Sequence, residues 1–293
     1  MKDYLVRAIA RKGKVRAFAI RSTNLVEECR KRLDTWPVAS AALGRAVTAS
    51  AVMGAMLKGK ERLTVQVKGG GPIGQIVADA GANGEARGFV SNPHVNFPLN
   101  SKGKLDVARA VGTDGFLTVT KDLGLKDPYH GSVELISGEL GEDFTYYFAR
   151  SEQTPSAVSV GVLVNPDYSI KASGGFVIQL LPGMKEDEIT EIEQLLSEVP
   201  PVSSMIDEGL TPEEIITKVL GEDDVEILSH LDISFNCHCS LQRVENTLVS
   251  LGRAELESII KEQGEAEVVC HFCNERYVVD RPRLEQLVSG TLG

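Results

Sequence analysis

Four of the chain's five cysteines fall in two short segments near its C-terminal end, Asn236-Cys237-His238-Cys239-Ser240 and Cys270-His271-Phe272-Cys273-Asn274. Any fold of this chain has to place these segments. Two close-spaced thiol pairs on separate segments suit a tetrahedral zinc site, each pair supplying two ligands from one tight turn. The expected ligands are Cys237, Cys239, Cys270 and Cys273, holding one zinc per chain. The spacing also serves a second chemistry. Thiols one or two residues apart need little backbone movement to close as a disulfide, and zinc-bound thiolates are already in the form that reacts with oxidants.

Two readings of the motif therefore stand side by side: a structural zinc ribbon that only holds a small domain together, and a redox-active centre. Cys-x-Cys leans toward the second, because its disulfide would close a small, strained ring, and strained disulfides are the labile ones. His238 and His271 lie inside the pairs. Four cysteines already complete a tetrahedral shell, so these histidines are expected at the surface or behind the ligands.

A chain of 293 residues can bury a large core and hold a second, smaller domain. A net charge of −10 argues against a nucleic-acid groove, which needs clustered Lys and Arg. A run of some 18 apolar residues is not apparent, so no membrane span is expected. Met1-Lys2-Asp3-Tyr4 does not open a secretion signal. The expected location is the cytoplasm, a reducing compartment in which clustered thiols bind metal or sense oxidants.

Along the chain, Tyr4 to Ser22 reads as two strands about the turn Arg11-Lys12-Gly13-Lys14. Asn24 with Glu27 suggests a capping box opening a helix, with Leu25, Val26, Cys29 and Leu33 as its apolar stripe. Cys29 is expected to be a buried small hydrophobe. Trp36-Pro37 breaks that helix, and Val38 to Lys58, rich in Ala and Gly, reads as a buried central helix. Gly69 to Gly74 matches G-x-G-x-x-G, but a strand pattern and the turn Asn83-Gly84 follow instead of a helix. A dinucleotide loop is rejected on that ground, and no lysine-bearing phosphate loop points to ATP. From Gly115 to Leu181 the pattern is mostly strands, with a helix around Glu142 to Ala149. The hairpins Ile73 to Phe89 and Val160 to Phe176 echo one another weakly. No Ser-His-Asp set or paired carboxylates suggest catalysis, so an enzyme is not expected.

After Leu181-Pro182-Gly183 the composition changes. Lys185 to Ser197 reads as an acidic amphipathic helix, Pro200-Pro201 ends it, and Thr211-Pro212 caps another helix through Leu220. In the last sixty residues, Ser240 to Leu251 and Ala254 to Glu262 read as helices, while Glu267 to Val269 and Arg276 to Val279 form a hairpin around the second cysteine pair. Large apolar residues are scarce there, so the metal is expected to supply much of the stability. Arg243 and Arg276 are candidates to offset the charge of four thiolates.

The expected architecture is α+β: residues 1–181 a large strand-rich domain around the Ala-rich helix, 182–230 a helical linker, and 231–293 a small zinc-binding domain. This order, with Cys-x-Cys and Cys-x-x-Cys some thirty residues apart, the opening Asp3-Tyr4-Leu5-Val6-Arg7-Ala8 and the turn Gly69 to Gly74, resembles the redox-regulated bacterial heat-shock chaperones of the thirty-three-kilodalton heat-shock protein family. The resemblance covers essentially the whole chain. It implies an ATP-independent holdase for unfolding client proteins, inactive while zinc sits on the four thiolates and activated by oxidants. It further implies disulfides Cys237–Cys239 and Cys270–Cys273, a homodimer in the active state, and transfer of clients to ATP-dependent foldases, with no nucleic acid or membrane as partner. The alternatives are a zinc enzyme, which would need an open ligand position, and a ribosome-associated zinc module, which the acidic charge disfavours.

Overall fold

The computed structural model describes residues 1–221 and 224–290. The chain is α+β and divides into two compact units, Met1–Asn236 and Cys237–Gly293.

The first unit begins with β1 (Tyr4–Ala10) and β2 (Val15–Arg21), then α1 (Thr23–Leu33) and α2 (Pro37–Ala55). It continues through β3 (Arg62–Lys68), β4 (Gln75–Gly81), β5 (Glu85–Val90), α3 (Val107–Val111), β6 (Phe116–Asp122), β7 (Tyr129–Glu134), α4 (Gly141–Arg150), β8 (Ser156–Val164) and β9 (Ile170–Leu180). Helices α5 (Glu186–Glu198), α6 (Val202–Asp207) and α7 (Pro212–Leu220) follow, then β10 (Glu226–Asp232) and β11 (Ser234–Phe235). Two sheets result, ordered β10-β1-β2-β9-β8 and β11-β5-β4-β3-β6-β7. The two hairpins of similar pattern lie in different sheets, β4–β5 in one and β8–β9 in the other.

Helix α2 packs against strands of both sheets, and every residue of it except Arg45 is buried. Its small side chains let two layers approach it at once. At Gly44 even a methyl group would meet Val26 Cγ1 at 2.6 Å and Val162 Cγ2 at 2.8 Å. By length and composition this helix could cross a bilayer, contrary to the expectation from the sequence; 94% of its apolar window is buried, as in the core helix of a globular unit. The Gly69 to Gly74 loop turns straight into β4, and its Gly71 and Ile73 amides donate to Val111 and Ala110 carbonyls at the end of α3.

The capping box expected at Asn24 does not form. Helix α1 starts two residues earlier than that box would place it, and Ser22 at its N-cap spends its hydroxyl on Thr48 and Ser173. The Leu25 amide at this helix start donates instead to Asp3 Oδ2 at 2.8 Å, from the strand side. Glu27 takes Arg30 and the Ile170 amide. A cap that arrives from twenty-two residues away leaves no local signature.

Segment 182–230 lies within the first unit. The face of the five-stranded sheet turned away from α2 carries Val6, Ala8, Ala10, Val15, Ala17, Ala19, Phe176 and Ile178. Against it lie Ile192 of α5, Val202, Met205 and Ile206 of α6, and Ile215, Ile216, Val219 and Leu220 of α7. Each such buried side chain contributes ~1.5–3 kcal/mol, while ordering each residue costs ~1–2 kcal/mol of backbone entropy. The balance differs along the segment. Helix α7 buries five of nine residues and is capped by the Thr211–Glu214 box, whereas α5 buries only Ile192 of thirteen. Close docking of α6 depends on Gly174, where a Cβ would meet Ile206 Cδ1 at 2.2 Å. Strand β10 then pairs antiparallel with β1, Tyr4 opposite Asp232.

The second unit holds α8 (Leu241–Ser250), α9 (Arg253–Glu262), the hairpin β12 (Ala266–Val269) and β13 (Arg276–Val279), and α10 (Arg281–Gly290). Its core is small: Val244, Leu248, Leu256, Ala266, Val279 and Leu284 are its buried hydrophobics. Arg283 ties α10 to α8 through both oxygens of Glu245, at 2.7 and 2.8 Å.

Candidate metal centre

Each cysteine pair is positioned by the element beside it. Ser240 caps α8 by accepting the Arg243 amide, so the Cys-x-Cys turn runs directly into a helix N-terminus. The Cys-x-x-Cys pair occupies the turn of the β12–β13 hairpin. There the Cys270 amide donates to Glu275 O at 2.9 Å and the Asn274 amide to Cys270 O at 2.8 Å. Asn274 takes the left-handed conformation (φ 61°), which Asn tolerates better than most residues.

The fold brings all four sulfurs within 4.8 Å of one another. Cys237 and Cys270 Sγ are 3.7 Å apart, and Cys239 and Cys273 Sγ 3.3 Å. Zinc–thiolate bonds of about 2.3 Å set neighbouring sulfurs of a tetrahedron roughly 3.8 Å apart, so the donor set and its span fit such an ion. Both of these sulfur contacts run between the two segments, as a shared ligand shell requires. Cys273 is buried and the other three are half-buried.

Burial pushes the Cys270 and Cys273 thiols above the usual range, against the opposing pull of backbone amides from Phe272, Cys273 and Glu275. Without a cation among them these groups hold their protons; a cation would make thiolates of them. Arg276, a candidate to offset that charge, is paired with Glu267 at 3.1 Å.

Tyr277 is a neighbour that the sequence pattern did not reveal. From β13 its hydroxyl donates to Cys239 Sγ at 3.2 Å. Its position opposite Val268 in the hairpin fixes that reach, and only the tertiary pairing of the two segments brings it to the first cysteine pair. Cys29 stands apart, buried between α1 and the core, and desolvation pushes its thiol up to about 12.

The two-unit α+β fold carries a four-thiol cluster with the donor set and span to hold a metal ion. The family model described as Hsp33 protein matches residues 3–280. A Brevibacillus brevis protein named 33 kDa chaperonin is 62% identical over 290 residues, covering 99% of each chain. One of the same name from Geobacillus kaustophilus is 59% identical, covering 98% of each. The crystal structure of the 33 kDa chaperonin (heat shock protein 33 homolog) of Thermotoga maritima matches with a TM-score of 0.93 and 38% identity, covering 100% of this chain and 99% of that one. The chain belongs to the Hsp33 family.

Proposed function

We propose that this protein is a redox-regulated, ATP-independent chaperone of the cytoplasm that holds unfolding proteins and keeps them from aggregating, and is not an enzyme. The observation that carries the reading is the convergence of four sulfurs within 4.8 Å in a unit with little apolar core. Cys237, Cys239, Cys270 and Cys273 are the ligands and the redox centre. Zinc, when bound, would hold them as thiolates and tie the two segments together. Oxidation converts each pair of thiolates and one hydrogen peroxide into a disulfide and two hydroxide ions, joining Cys237 to Cys239 and Cys270 to Cys273. Disulfides no longer hold the cation, and the unit loses a tie worth roughly 10–16 kcal/mol in sites of this kind.

Segment 182–230 acts as the linker between residues 1–181 and the zinc-binding domain, residues 231–293. Its helices stay packed on the sheet while that domain is folded. Once they lift, Ile192, Ile206 and Ile215 on one side and Val6, Ala17 and Phe176 on the other become apolar surface for client chains and for a second copy of the protein. Clients then pass to ATP-dependent foldases. The test is light scattering of a heat-unfolding client with reduced, oxidised and zinc-stripped protein, together with hydrogen exchange over residues 185–220. Suppression by the oxidised form with loss of protection in the linker supports the reading. Equal suppression by oxidised and zinc-bound forms overturns it, and suppression with a protected linker overturns the route.

A further inference from the structure

The four sulfurs are not equivalent in what touches them. Cys270 and Cys273 are approached by amides of their own turn, from Phe272, Cys273 and Glu275. These donors come with the backbone fold. Cys239 receives a side-chain donor from another segment, the Tyr277 hydroxyl at 3.2 Å. The Tyr277 ring packs on the core of the second unit, and the β12–β13 register sets its height, so the hydroxyl is held in place.

A thiolate that accepts a hydrogen bond is a weaker nucleophile, because the lone pair that would attack is partly engaged. We propose that Tyr277 is a positioning residue that shields Cys239 from oxidants and so sets how readily the centre responds. This rests on the redox reading of the four-cysteine site. The step it slows is attack of the Cys239 sulfur on hydrogen peroxide. The S–O bond forms, the O–O bond breaks, hydroxide leaves, and the sulfur is oxidised by two electrons to a sulfenic acid. Attack by Cys237 then forms the disulfide and releases a second hydroxide. Before the sulfur can react, the Tyr277 hydrogen bond must break or lengthen.

The variant Tyr277→Phe removes one oxygen and keeps the ring in the core. Release of zinc from the reduced, loaded full-length protein is followed with a zinc-responsive dye, once with hydrogen peroxide and once with a competing chelator and no oxidant. The expected result is peroxide-driven release about five- to tenfold faster, with chelator-driven release unchanged within about twofold. A sulfenic-acid trap should show more label on Cys239 in the variant. Equal acceleration in both assays would mean that Tyr277 only braces the fold, and would overturn the proposal, as would an unchanged peroxide rate. Replacing Tyr277 by 3-fluorotyrosine, nearly isosteric and a stronger donor, should slow peroxide-driven release; acceleration would contradict the shielding role even if the Phe variant folds poorly. If the wild-type protein keeps its zinc under peroxide, the redox reading itself fails and this inference with it. A responsive wild type with an indifferent variant removes only the role of Tyr277.

Discussion

Lys14, on the turn between β1 and β2, donates to both carboxylate oxygens of Glu188 on α5, at 3.1 and 3.0 Å. Arg11, on the same turn, reaches Glu191 at 3.0 Å and the Leu220 carbonyl at the end of α7 at 3.5 Å. Both ion pairs fall on α5, which buries the smallest share of its residues among α5, α6 and α7. Residues 182–224 hold thirteen acidic and two basic side chains, a net of −11 against −10 for the whole chain. Charge thus adds to the buried Ile192 in holding α5 to a nearly neutral remainder.

Ionic strength should therefore act on α5 before α7. Hydrogen exchange at 50 and 500 mM salt is expected to show lost protection in 186–198 and little change in 212–220, since screening weakens partly exposed pairs and spares apolar packing. The double variant Arg11→Ala, Lys14→Ala should lower local stability of α5 by about 1 kcal/mol. Equal loss in both helices would show that they open as one piece.

On the proposed ligand set, removing any one sulfur would leave three ligands. Each of the serine variants at Cys237, Cys239, Cys270 and Cys273 should lose zinc to a chelator that the wild-type protein resists, and its second unit should exchange amides quickly because the core there is small. His238→Ala and His271→Ala should retain one zinc per chain, measured by metal analysis of the reduced protein. A histidine variant lacking metal would mean that the ligand set is different.

Peptide mapping after peroxide should find Cys237 joined to Cys239, Cys270 joined to Cys273, and Cys29 reduced. In the folded cluster sulfurs meet across the segments, Cys239 and Cys273 at 3.3 Å. Pairing between chain neighbours is expected to prevail because the shorter loops close at less entropic cost. A dominant Cys239–Cys273 bridge would mean oxidation inside the intact site. Cys29 is protected by its burial and by a thiol pushed up to about 12.

Asp3 carries a pH dependence of its own. Desolvation, opposed by the Leu25 amide and Arg21, raises its carboxyl to about 6. The folded state binds this proton more tightly than the unfolded chain, so the contribution is full below the unfolded value near 4 and is lost as pH rises through about 6. Denaturant unfolding of wild type and Asp3→Asn at pH 5 and pH 8 should show the variant gaining about 1.4 kcal/mol relative to wild type between the two, because by pH 5 the wild type has already lost part of this contribution. A pH-independent difference would mean that Asp3 does not titrate there.

Much of the first unit was legible because its signals are local. The hairpin β4–β5 announced itself through Asn83-Gly84, α7 through Thr211-Pro212, and α2 through its run of Ala and Gly. Helix α6 and strand β10 were not legible. The first is six residues long, and in the second burial alternates along the strand but residue type does not, since apolar Leu228 takes an exposed position and polar Ser229 a half-buried one. Its identity as a strand comes from pairing with β1, more than two hundred residues away. The Asp3 cap on α1 escaped detection for the same reason.

By itself the sequence determined the α+β class, the central helix and the identity of the four clustered thiols, because residue type and short spacing specify those directly. The tertiary structure decided which sulfurs meet across the two segments, that Tyr277 touches Cys239, that Asp3 caps α1, and that a basic turn grips an acidic helix. Each of those contacts joins residues from 22 to 174 positions apart. Contacts at such separations have no period and no local composition; they exist only once the apolar faces of the chain have been buried and the path of the backbone is set.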